Sequence, residues 1–71
     1  MSNKMKLNKE DLIRIASVAI GKRMDYETLK WSDYLYNCED QADEVWEFVE
    51  ECEEIGKIAW KEKYKEFKLC F

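Results

Sequence analysis

The chain has no histidine and no proline, two glycines, and three cysteines without a CxxC pair. Without histidine the usual general base and the commonest metal ligand are both missing. No Ser–His or Cys–His relay can form within one chain, and the Glu-x-x-His pattern of di-iron bundles is excluded. Cys38, Cys52 and Cys70 are too widely spaced for paired zinc ligands. Their odd number fits thiols in a reducing cytoplasm better than a disulfide frame. There is no Gly-rich phosphate loop. No apolar run approaches the roughly 18 residues of a membrane span, and the opening MSNKMKLNKED lacks the apolar stretch of a secretory signal. These absences lead to the expectation of a soluble cytoplasmic protein that is not an enzyme and uses no cofactor or metal.

Scarce glycine and absent proline also remove most strand and hairpin punctuation, which leaves an all-α fold. Seventy-one residues make one small domain, near the lower limit at which a core alone holds a structure. Ten aromatic residues, each able to bury about 150–250 Å², supply either that core or a dimer interface.

Residues 1–7 read as a basic, frayed lead-in. Asn8 is placed to cap a helix, with Asp11 three residues on as in a capping box, and Leu7 and Leu12 are spaced as a hydrophobic staple. The run from Leu12 to Ile20 is apolar around most of its circumference, as in a largely buried helix. Gly21 offers a left-handed C′ residue, followed by Lys22 and Arg23 at the negative helix end. These signals predict a first helix over 9–20. Met24, Asp25 and Leu29 repeat the same device and predict a second over 26–36. Leu29, Trp31 and Leu35 also suit a strand at period two, but no partner strand is present.

A third helix is predicted over 39–68, capped by Asn37 or Asp40. Ala42, Val45, Val49, Cys52, Ile55 and Ala59 recur along it at three- and four-residue steps, so Cys52 reads as a buried thiol. Trp46, Trp60, Tyr64, Phe67 and Phe71 widen that stripe and read mainly as core. Gly56 costs about 1 kcal/mol relative to alanine in mid-helix. Thirty residues at 1.5 Å give roughly 45 Å, against an expected radius of gyration of about 11 Å. Either the helix bends near Gly56 or its far end packs on another chain. The expected architecture is a three-helix bundle.

Charge is strongly segregated. Residues 1–30 carry seven bases and four acids, residues 31–54 ten acids and no base, and residues 55–71 five lysines and two acids. On a helix, Asp40, Glu44, Glu47, Glu51 and Glu54 fall on one ridge, flanked by Asp43, Glu50 and Glu53. Each like-charge pair at i,i+3 or i,i+4 costs about 0.2–0.5 kcal/mol, so the ridge carries a penalty of a few kcal/mol.

Three explanations compete for that ridge. Acids early and lysines late in one helix suit its macrodipole, with Glu53–Lys57 as a favourable pair. The chain's own bases, among Lys4, Lys6, Arg14, Lys22, Arg23 and Lys30, could fold back over it. Alternatively Asp40, Asp43, Glu44, Glu47, Glu50, Glu51 and Glu54 bind a basic protein partner. At roughly 4–5 Å per charge, the ridge approaches the spacing of phosphates along a nucleic-acid strand, about 3.4 Å. The analogy is to a functional class, the small acidic helical inhibitors encoded by phages and mobile elements. A helical homo-oligomerisation module is the alternative reading. A nucleic-acid-binding regulator is the third. For the third, residues 16–31 outline a helix-turn-helix one residue off in spacing, beside acids that would repel phosphates.

Overall fold

Two short polar side chains start the first two helices of the computed structural model, which describes residues 6–71. Asn8 accepts a hydrogen bond from the Asp11 amide at 2.8 Å and opens α1 (Lys9–Lys22). Asp25 accepts from the Thr28 amide at 2.8 Å and opens α2 (Tyr26–Lys30). Each satisfies one of the amides that a helix start leaves without a partner. α3 (Ala42–Ile55) and α4 (Lys57–Lys63) complete the fold, and the described residues contain no strand. The expected frayed segment falls mostly on residues 1–5, outside the described residues. The Leu7 amide, by contrast, donates to Gln41 Oε1 at 2.8 Å.

α1 runs past its expected end at Ile20 to Lys22. Gly21 is therefore helical, and it is Arg23, at φ 57° and ψ 43°, that takes the left-handed cap. A non-glycine residue there costs roughly 1–2 kcal/mol. Glycine at position 21 instead makes room: a Cβ added to it would lie 3.2 Å from Cβ of Phe71. The C-terminal segment folds across α1 at this point. The Cys70 amide donates to Ser17 Oγ at 3.0 Å, and the Phe71 ring stacks on Trp60 at 5.8 Å.

The second predicted helix, 26–36, is shorter than expected. α2 stops at Lys30, and a 3₁₀ turn, Asp33–Leu35, follows. Leu29 and Leu35 are both wholly buried. Six residues apart on a continuous α-helix, they would point about 120° away from each other. The tighter turn brings both into the core, and the Ser32 hydroxyl, donating to the Leu29 carbonyl at 2.7 Å, satisfies a group at the helix end.

Neither Asn37 nor Asp40 caps α3. Asn37 is left-handed at φ 66°, a conformation that asparagine tolerates, and Asp40 lies within a 3₁₀ turn, Glu39–Gln41, that leads into the helix. The residue before α3 is Gln41, buried among apolar neighbours; its amide ties the Leu7 backbone on one side to Glu44 Oε1, at 3.1 Å, on the other.

The expected long helix over 39–68 is divided at Gly56, whose φ of 94° and ψ of 154° only glycine adopts readily. Trp60 and Tyr64 explain the division. On a straight extension they would project past the body of the protein, whereas the turn at Gly56 folds α4 back and buries both. Ile13, Ala16, Leu29, Leu35 and Val45 are, like Trp60, wholly buried and belong to the same core cluster. Small Ala16 and Ala19 let α1 lie against α3, the principal helix–helix contact. The radius of gyration is 11.9 Å.

The break makes a prediction about sign. In a continuous helix, Gly56→Ala would stabilise by about 1 kcal/mol. With φ at 94° the same change should destabilise by about 1–3 kcal/mol, read as a lower urea midpoint at unchanged m-value.

Candidate protein-binding face on the third helix

α3 has two opposed faces. Ala42, Val45, Val49 and Cys52 are buried, mainly against α1. At 100° per residue, the positions between them point the other way. Asp43, Glu44, Glu47, Glu50 and Glu54 are accordingly exposed and Glu51 half-buried, while Asp40 is exposed on the turn leading into the helix. The residues expected to bind a partner thus share one side of a single rigid element and the turn before it. Glu53 lies off to the flank.

Side chains from other elements hold parts of this face. The Tyr26 hydroxyl donates to Asp43 Oδ1 at 2.5 Å, and its ring meets Trp46 edge-on at 5.8 Å. That hydrogen bond to a carboxylate raises the tyrosine pKa. Gln41 holds Glu44, as described above. Glu51 is the most constrained: Lys63 of α4 forms a salt bridge with it, and the Tyr64 hydroxyl donates to Oε1 at 2.5 Å. Burial pushes the Glu51 carboxyl up, but the hydrogen bonds from Lys63 and Tyr64 outweigh it and the net shift is downward. The buried Trp60 indole N–H has no partner at hydrogen-bond distance.

The outer part of the face along α3 is open. Glu47, Glu50, Glu53 and Glu54 make no hydrogen bond or ion pair with a described residue, and with Glu51 they line a shallow depression. Two of the basic residues expected to fold back over the ridge go elsewhere. Arg14 pairs with Glu10 and Asp11 on its own helix, and Lys30 lies over the rings of Tyr26 and Trp31. Lys4 lies outside the described residues. Glu53 and Lys57 do not form the expected pair, because the turn at Gly56 destroys the i,i+4 geometry between them. The macrodipole argument changes as well. Asp43 and Glu44 sit favourably in the first turn of α3, but the helix ends at Ile55, so Glu53 and Glu54 crowd its negative end, and its last turn contains no base.

Sequence reasoning missed the bracing residues. Nothing in the sequence singles out Tyr26, Gln41 or Lys63, and Tyr64 reads there only as part of the apolar stripe of the third helix. Twelve and thirteen residues separate Lys63 and Tyr64 from Glu51; no helical period pairs them, and only the turn at Gly56 brings them together.

Among the described residues, no cluster of three or more Cys, Asp or Glu is arranged to hold a metal ion. No helix there is long and apolar enough to cross a membrane. Cys52 is buried, and burial pushes its thiol pKa up.

The Glu51 hub sets a pH dependence. A lowered carboxyl pKa gives stability that is present above the unfolded-state value and lost as pH falls through the folded one. The raised Lys63 and Tyr64 values act oppositely, giving stability that is lost as pH rises through them. Glu51→Gln should therefore cost about 1–2 kcal/mol at neutral pH and flatten the acid limb of a urea-denaturation profile as pH falls below the ordinary carboxylate value of 4.5. Compared with protein-family models, curated proteins and solved structures, the chain finds no match.

Proposed function

We propose that the acidic face of α3 is the docking surface of a non-catalytic inhibitor or regulator acting in the cytoplasm. Its partner is a basic, nucleic-acid-handling protein whose Lys/Arg-lined groove the face occupies in place of a nucleic acid. The observation that carries this reading is that Glu47, Glu50 and Glu54, exposed along one side of a folded helix, have no described cation as a partner. Like charges held this close cost stability at every helical step, and a cationic groove would relieve that cost on binding. Tyr26, Gln41 and Tyr64 support the reading by fixing neighbouring carboxylates, which lowers the entropy lost on docking. The mode of action resembles that of the small acidic inhibitors of phages and mobile elements.

The oligomerisation reading has less support, because two of the three aromatics it would use, Trp60 and Tyr64, are covered by the chain's own core, and the third, Phe67, is half-buried against it.

The test is capture from a lysate with the intact protein and with a Glu47→Gln, Glu50→Gln, Glu54→Gln variant. We expect the intact protein to retain a basic nucleic-acid-binding protein that added oligonucleotide displaces. The variant should stay helical by circular dichroism yet bind that protein at least tenfold more weakly. Equal capture by both proteins, or capture indifferent to oligonucleotide, would overturn the reading.

A further inference from the structure

Away from the open acidic surface, α1 and α3 leave a half-open cleft of about 310 Å³ between them. Ile20 and Val49 are its buried walls, with Met24 and Trp46 half-exposed beside them. Its exposed lining is charged and consists of Arg23, Lys57 and Glu53. The volume lies at the small end of the range for ligand sites, about 300–1,000 Å³, and an apolar lining with a few convergent polar groups is their usual make-up.

The two cations are the unexpected feature. In a chain with 16 acids against 12 bases, neither Arg23 nor Lys57 makes an ion pair with a described residue. Lys57 instead lies 5.9 Å from the centre of the Phe71 ring. Both positions follow from the backbone. The left-handed cap of α1 sets the direction in which Arg23 leaves the helix, and the turn at Gly56 removes Lys57 from the reach of Glu53. Two unneutralised cations at the mouth of an apolar cleft complement an anion with an apolar body. Glu53 limits its charge: the three groups sum to +1, which suits a monoanion and disfavours a dianion.

We propose that this cleft binds a small organic monocarboxylate, its carboxylate between Arg23 and Lys57 and its flat or branched apolar body against Trp46, Met24 and Ile20. The site is independent of the acidic face, with which it shares only Glu53 at the border.

The test uses 3-phenylpropionate, its uncharged amide and phenyl phosphate as probes, titrated into the intact protein and followed by NMR shifts and calorimetry. We expect saturable shifts centred on Met24 and the Trp46 indole with the carboxylate, and at least tenfold weaker binding of the amide and of the phosphate dianion. Arg23→Gly should weaken the carboxylate at least tenfold while keeping or raising the melting temperature, because glycine suits the backbone at φ 57°. Lys57→Gln should weaken it in the same direction. The proposal is overturned if no cleft residue shifts at millimolar probe, if the amide binds as tightly as the carboxylate, or if Arg23→Gly leaves affinity unchanged.

Discussion

The burial of one face of α3 against α1 governs the rest of the molecule. Once Ala42, Val45, Val49 and Cys52 turn inward, helical periodicity leaves the acids between them no direction but outward. Apolar burial, at about 25 cal/mol per Å², is what outweighs the repulsion among those acids. Glu51 is the most buried carboxylate of the ridge, and it is the one that receives a lysine and a tyrosine hydroxyl. Farther out, Glu47, Glu50 and Glu54 remain without such partners.

Gly56 decides how the second half of the sequence is used. By ending α3 and turning α4 back, it buries Trp60 and Tyr64, delivers Lys63 to Glu51 and separates Lys57 from Glu53. One glycine conformation thus closes the core, partly neutralises one ridge carboxylate and leaves a cation at the edge of a cleft. The C-terminal segment completes the closure, with Phe71 over Trp60 and beside Gly21.

Much of this was legible in the sequence because it is local. The caps at Asn8 and Asp25 act over three residues, and the apolar stripe of α3 has a helical period, so both are legible from neighbouring residues alone. Apart from the cap of α3, the misreadings concern contacts between distant segments. Gly21 carries the local signature of a helix stop, but it is small because Phe71, fifty residues later, rests on it. Residues 26–36 looked like one helix because nothing local reveals that Leu29 and Leu35 must meet in the same core. For the candidate face, periodicity found the acids. It could not find Tyr26, Gln41, Lys63 or Tyr64, whose roles arise from tertiary packing.

The central claim is that Glu47, Glu50 and Glu54 are not neutralised from within. The most direct measurement is stability against urea as sodium chloride rises from about 10 to 300 mM, over which the Debye length shortens from roughly 30 Å to less than 8 Å. Dominant repulsion among unpaired carboxylates predicts that stability increases with salt, by an amount on the order of 1 kcal/mol or more. Stability that stays constant or falls with salt would show that internal ion pairing already balances the ridge, and would contradict the account.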